Sequence, residues 1–135
     1  MSEVVVVDNE FITLRYLDDK RIIYHTVHKL ISGQPLRDAL VAGTEAMKTY
    51  GACKWLSDDR LNGPLTQEDI EWGFNNWNLP TIKAGWKFWA IVVPTELIAA
   101  GSLIPTINTL FDLGLRVMAF DNLKDAMDWL DRMPG

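Results

Sequence analysis

The chain has little of what disulfide-bonded, metal-binding or membrane-spanning proteins require. Only one of its 135 residues is cysteine and two are histidine, so no disulfide can form within the chain. His25 and His28 lie three positions apart in a predicted strand, which points them to opposite faces and argues against a shared metal ion. No apolar run approaches the ~20 residues that span a bilayer. We therefore expect no metal, no cofactor and no stable membrane insertion.

The chain also lacks an excess of basic charge. It has 13 Lys and Arg against 18 Asp and Glu, a formal net charge of −5, and its longest basic run is Lys20-Arg21. This argues against a nucleic-acid partner, which calls for a concentrated basic face. The apolar stretch Val4–Val7 is too short for a signal peptide and is followed by Asp8. With the unpaired Cys53, this favours a cytoplasmic location.

Repeats, low-complexity segments and linkers are absent as well. With 48% apolar and 23% charged residues, the composition is that of an ordinary globular protein. A chain of this length buries roughly two-thirds of the surface that it exposes when unfolded. We expect one domain over residues 1–135.

Hydrophobic periodicity predicts the secondary structure. Phe11–Leu17 alternates apolar and polar residues, Asp18–Lys20 supplies a turn, and Arg21–His28 returns as a second strand, which together indicate an antiparallel hairpin. Three further strands are predicted at Lys54–Asp58, Phe88–Val93 and Leu115–Phe120. The run at Phe88–Val93 is apolar without alternation, which is typical of a central strand covered on both faces.

Helices are predicted between these strands. One begins near Ser32 and stops at Gly51, another region after Pro94 is split near Gly101–Pro105, and a last one follows Asn122 as its N-cap. The expected fold is therefore α/β: a mixed sheet of four to five or more strands, with an N-terminal antiparallel hairpin and then alternating helices and strands. The later strands should be parallel with right-handed crossovers.

The helix after the loop Asp59–Leu65 has the best-marked start. Thr66 is a natural N-cap, and Asp69 follows three residues later. Ile70, Phe74 and Trp77 are predicted to share the core-facing side, and Pro80 to kink or end the helix.

Several segments together resemble the SpoIIAA-like family of small bacterial proteins, which belongs to the STAS-like superfamily and is related in fold to CRAL-TRIO lipid-transfer domains. The matching pieces cover nearly the whole chain from about Phe11. They are Lys54-Trp55-Leu56-Ser57-Asp58-Asp59-Arg60, Leu65-Thr66-Gln67-Glu68-Asp69-Ile70-Glu71-Trp72, Ala84-Gly85, Phe88-Trp89-Ala90-Ile91-Val92-Val93-Pro94, Phe120-Asp121-Asn122 and Ala126-Met127-Asp128-Trp129-Leu130.

The resemblance implies a mixed sheet of four to five strands with helices, and a binding or regulatory role instead of catalysis. Members of the family carry an Asp-Ser pair at the start of a helix, and a partner kinase phosphorylates the serine. The corresponding residues here are Thr66 and Gln67. Gln67 has no hydroxyl group, so the phosphoswitch is not carried over.

Asp58, Asp59 and Arg60 follow a presumed parallel strand at the sheet edge where open α/β sheets bind ligands. They could bind a metal, act as an acid–base pair, or hold an anion near the helix that begins at Thr66. Alternatively, Asp58 and Arg60 fix the loop through an ion pair and backbone hydrogen bonds, which is the interpretation we favour. Ser57 lies within the strand and is expected to be structural, since no nucleophile elbow, phosphate loop or dinucleotide fingerprint is present.

Trp72 is one of six tryptophans. Helix periodicity places it almost opposite Ile70, Phe74 and Trp77, so it is predicted to point away from the core. Such an aromatic favours a homodimer contact, a partner contact or a ligand groove. The alternative is that a neighbouring part of the chain covers it.

Three functions remain open from the sequence. The first is a non-catalytic STAS-like module that binds a protein partner, or a small apolar or anionic ligand, in a regulatory role. The second is a lipid or apolar-ligand carrier in which aromatic-rich helices cover a pocket. The third is an enzyme that uses Asp58, Asp59 and Arg60.

Overall fold

The computed structural model describes residues 3–63 and 65–135. Within them, six strands form one sheet whose spatial order follows the chain order from β1 to β6. The first three strands pair antiparallel, and β3 to β6 pair parallel. The strands are β1 (Glu3–Asp8), β2 (Ile12–Leu17), β3 (Ile22–Val27), β4 (Lys54–Asp58), β5 (Phe88–Val92) and β6 (Arg116–Phe120).

Helices connect the parallel strands, so the expected α/β fold with an N-terminal antiparallel hairpin is confirmed. A π-helical segment, Phe74–Asn78, joins α2 to α3 without a break. The α-helices are α1 (Gln34–Tyr50), α2 (Gln67–Gly73), α3 (Leu79–Lys83), α4 (Thr95–Ala99), α5 (Ile104–Asp112) and α6 (Leu123–Arg132).

The hairpin of β2 and β3 follows the hydrophobic alternation of the sequence. Ile12, Leu14 and Tyr16 are all buried on one face. β1 was not predicted, because four consecutive valines show no alternation that would mark a half-buried strand. It pairs with β2 through an irregular register between Val5 and Val7.

The two faces of the sheet are covered by different helices. Side chains of α1, the π segment and α5 pack with β2, β3, β4 and β5 in the larger core. On the other face, Ala126 and Leu130 of α6 pack against Ile22, Leu56 and the even-numbered residues of β5. Every residue of β5 is buried, which confirms the prediction of a central strand covered on both faces.

The sequence signals at helix ends are mostly confirmed. The Thr66 hydroxyl accepts the Asp69 N–H, and the Asn122 side chain accepts the Asp125 N–H. Gly51 ends α1 in the left-handed conformation. Gly101 lies between α4 and α5, where the split was expected.

Pro80 is the second residue of α3, which begins directly after the π segment, so the α-helical pattern of α2 is interrupted before this proline and helical backbone then continues to Lys83. The prediction that Ile70 faces the core is wrong, whereas Trp77 is buried as predicted. The buried side of this region is formed by Asp69, Gly73 and Trp77, whereas Ile70 is 46% exposed. A carboxylate and a glycine occupy two of the three core-facing positions, so hydrophobicity could not mark them.

Candidate functional site

Asp58 and Arg60 form a closed ion pair at the end of β4. The Asp58 side chain is buried, and both of its oxygens accept hydrogen bonds from the guanidinium, from Nε at 2.9 Å and from Nη2 at 2.8 Å. The hydrogen bond to Asp58 raises the pKa of Arg60, so the guanidinium keeps its charge. Such a bidentate pair fixes the loop that follows β4, in agreement with the structural interpretation.

Asp59 faces the other side of the sheet and contacts His25. Its Oδ1 lies 2.8 Å from Nε2 of His25, and the Trp55 indole lies 3.0 Å from His25 Nδ1. Because an indole N–H can only donate, Nδ1 is the acceptor and Nε2 carries the proton that it donates to Asp59. The two adjacent carboxylates therefore have separate partners on opposite sides of the sheet, which does not favour the hypothesis that they act as one acid–base pair.

Ser57 lies beside His25 in the parallel pairing of β3 and β4. It is fully buried, and its hydroxyl oxygen accepts the indole N–H of Trp89 at 2.8 Å. Both ring nitrogens of His25 are already engaged by Trp55 and Asp59. This arrangement leaves His25 no nitrogen with which to activate the Ser57 hydroxyl as a nucleophile.

Thr66 lies beside a cavity of about 190 Å³ that is also lined by Ser32, Gly33, Arg37, Glu68 and Asp69. Asp69 itself provides the negative charge at this place. Its carboxylate accepts the Gly33 N–H at 3.0 Å, next to the start of α1, and contacts the Arg37 guanidinium at 3.2 Å.

Burial acts to raise the pKa of Asp69. Hydrogen bonds from the Gly33 N–H and from Arg37 and Thr66 outweigh this effect, and the pKa lies below its usual value. The carboxylate is therefore charged at neutral pH. It occupies the position beside Thr66 at which the sequence suggested a bound anion.

The prediction that Trp72 points away from the core is wrong. Its ring is partly buried and packs against the larger core, and the Arg37 guanidinium lies 5.4 Å from its centre. Because Asp69, and not Ile70, faces inward, Trp72 lies three residues along the same side of the helix. Its own chain covers part of the ring that was expected to bind a partner.

Four of the six tryptophans form a compact cluster beneath the helices. Neighbouring ring centres lie 5.0–5.5 Å apart. All four are at least nine-tenths buried: Trp55, Trp77, Trp86 and Trp89. The Trp55 and Trp89 indoles have acceptors within the sheet, as described above. The buried Nε1 of Trp77 has no acceptor among the described residues.

Asn78, the next residue in the chain, has a second buried donor for which the described residues offer no acceptor. Asn78 is 8% exposed, and its Nδ2 has no hydrogen-bond partner among residues 3–63 and 65–135. The other two asparagines of the π segment are exposed, and each donates to the carbonyl four residues earlier, Asn75 to Glu71 and Asn76 to Trp72. Asn78 is thus the one asparagine of this segment that is buried and unsatisfied.

Asn78 lines a groove between the α2–α3 region and α5, which we call the α2–α5 groove. Its volume is about 190 Å³, and its walls are Ile70, Phe74, Asn78, Thr106, Thr109 and Leu110. The sequence did not indicate this site, because Ile70 and Phe74 were predicted to face the core. The only signal was three asparagines within Phe74–Asn78, which are poor residues for a helix interior.

In the ranges 3–63 and 65–135, no three His, Cys, Asp or Glu side chains come together as metal ligands. None of the helices described there is long and apolar enough to cross a membrane.

Comparison with protein-family models, with curated proteins and with solved structures gives no match to this chain. The STAS-like resemblance therefore remains a prediction from the sequence.

Proposed function

We propose that this chain is a non-catalytic binding module whose ligand is a small molecule with an apolar body and one hydrogen-bond-accepting oxygen. The ligand occupies the α2–α5 groove. The observation that carries this proposal is that Asn78, a residue of the groove wall, has a buried Nδ2 with no partner among the described residues. A binding role without catalysis is also what the STAS-like resemblance implies.

The burial of the Asn78 amide without a partner in the described part of the chain has an energetic cost. Leaving a buried donor unsatisfied costs about 1–3 kcal/mol. A ligand that brings a carbonyl or ether oxygen to Nδ2 removes this cost, so the site selects for an acceptor. A hydrocarbon of the same shape fills the groove but leaves the donor unsatisfied.

The remaining walls explain the apolar body. Ile70 is 46% exposed, and with Phe74 and Leu110 it forms the hydrophobic lining. The Thr109 hydroxyl donates to the Pro105 carbonyl at 2.9 Å. Because this hydrogen bond is made within α5, the hydroxyl proton does not compete for the ligand.

Size limits the class of ligand. The volume of about 190 Å³ is somewhat larger than an engineered cavity of roughly 150 Å³ that accepts benzene. A single ring with a short polar substituent fits, whereas a two-chain phospholipid does not fit within the groove. We therefore favour a small aromatic or alicyclic ketone, ester or amide over a bulk lipid.

The test uses two isosteric probes that differ in one atom group. Acetophenone has a carbonyl oxygen at the position where α-methylstyrene has a methylene group. Titration followed by tryptophan fluorescence should show that acetophenone binds about fivefold more tightly, because one neutral hydrogen bond contributes about 1 kcal/mol.

Variants separate this hydrogen bond from general apolar binding. Asn78→Leu should abolish the preference for acetophenone while keeping binding of both probes. Thr106→Trp should fill the groove and weaken both probes, while Thr95→Trp, on the exposed face of α4, should leave both unchanged. Equal affinity of the two probes for the wild-type chain, or no binding of either, would refute the proposal.

A further inference from the structure

β6 is an outer strand with a free hydrogen-bonding edge. The Arg116 N–H donates to Lys87 O at 3.0 Å, and Phe120 O accepts from the Val93 N–H at 2.9 Å, so these residues point their backbone groups towards the β5 side. Backbone groups alternate sides along a strand. The N–H and C=O of Val117 and Ala119 therefore point away from β5, and no further strand lies beyond β6 in the described sheet.

The sequence of β6 fits a second copy of itself. In an antiparallel pair centred on Met118, Val117 lies opposite Ala119 of the other copy, and each such pair exchanges two backbone hydrogen bonds. All the free groups of this edge are then satisfied at once. Arg116 lies opposite Phe120, so no like charges face each other.

The surroundings of β6 are apolar and exposed. Met118 is 44%, Leu113 39% and Phe111 56% exposed. The Arg116 guanidinium lies 5.8 Å from the centre of the Phe111 ring. Met118 belongs to the edge strand itself and would lose contact with water when a second strand is added.

The opposite edge of the sheet is protected against the same pairing. β1 has an irregular register between Val5 and Val7, and such a bulge twists an edge away from partners. An antiparallel pair of two β1 strands would also place Glu3 opposite Asp8, which is a like-charge contact.

We infer that β6 of a second copy of this chain pairs antiparallel with β6, so that the two sheets join into one continuous sheet. We call this pair of strands the seam. The inference is independent of the ligand proposal, since none of the groove residues belongs to β6. Its failure would leave the ligand test unaffected.

Sedimentation velocity over a concentration series tests the seam with two variants. Ala119→Pro removes an outward N–H without touching the bonds to β5, and proline is tolerated at such edge positions. Each dimer then loses two of its four seam bonds, so the dissociation constant should rise about thirtyfold. Ala119→Val is the matched control, because it keeps the N–H.

Met118→Glu places two carboxylates opposite each other at the centre of the seam. It should weaken the dimer about tenfold at low salt, and less at high salt. Val5→Glu on β1, where Val5 is 53% exposed, should leave the dimer unchanged. A wild-type chain that stays monomeric at millimolar concentration contradicts the inference. The inference is also contradicted if Ala119→Pro and Met118→Glu have the circular dichroism of the wild-type chain and form dimers with the same dissociation constant.

Discussion

At the scale of single residues, several polar side chains have partners inside the protein. Asp58, Asp59 and Asp69 each contact a cation or an imidazole, and Ser57 accepts an indole N–H. Satisfied groups of this kind stabilise the loops at the carboxyl edge of the sheet. Asn78 differs from them, because its buried amide has no acceptor among the described residues.

The charge of Asp69 should be visible in the pH dependence of stability. Its pKa is lowered in the folded protein, so its contribution is complete above the unfolded value of about 3.9 and is lost as the pH falls further. Asp69→Asn should cost about 2 kcal/mol at neutral pH, since hydrogen bonds to a charged group are lost.

Urea denaturation of both proteins from pH 7 to pH 2.5 measures this effect. The difference in the free energy of unfolding should stay constant down to about pH 4 and then shrink. A difference that is unchanged at the lowest pH would contradict the assigned charge state of Asp69.

Gly43 illustrates a steric requirement in α1. A methyl group at this position would overlap the Trp55 ring. Gly43→Ala should therefore destabilise the protein by about 1–3 kcal/mol, although alanine is intrinsically the better helix former by about 1 kcal/mol.

Thermal unfolding of Gly43→Ala shows whether the substitution lowers or raises the stability of the protein. Val41→Ala in the same helix, at a 44% exposed position, is the matched control and should change stability by less than about 0.5 kcal/mol. A Gly43→Ala protein that is more stable than wild type would show that Trp55 does not lie against α1.

At the scale of elements, the sequence predicted most strands and helix ends well. Local chemistry is sufficient for these features: alternation in β2, an unbroken apolar run in β5, and side-chain caps at Thr66 and Asn122. The α2–α3 region was mispredicted because its geometry depends on tertiary contacts. Asp69 is buried only because Gly33 and Arg37 of another segment bind it.

The burial of β5 gives a direct test at this scale. Ile91 is 4% exposed, so Ile91→Asp should destabilise the protein by several kcal/mol, on the order of 4, because it buries an unpaired charge. Ile98→Asp, at a 38% exposed position of α4, is the control and should unfold near the wild-type temperature. Near-native melting of Ile91→Asp would contradict the position of β5 between two covered faces.

At the scale of the whole molecule, the described sheet has two different edges, and the α2–α5 groove lies between helices. The fold class followed from the sequence, because the order of apolar segments limits the possible topologies. The groove did not, because its walls come from α2, the π segment and α5, which are distant in the chain. The candidate residues around Asp58 were correctly located at the carboxyl edge of β4 but are engaged with each other and with the core.

The most direct test of the proposed function is nuclear magnetic resonance of the Asn78 side-chain amide during titration with acetophenone. We expect one of the two Nδ2 proton signals, that of the proton donated to the ketone oxygen, to shift downfield and to saturate with ligand concentration, whereas α-methylstyrene leaves both signals nearly in place. The exposed amides of Asn75 and Asn76 serve as unmoved internal references. Signals of Asn78 that stay fixed while acetophenone binds, or that move equally with α-methylstyrene, would contradict the proposed function.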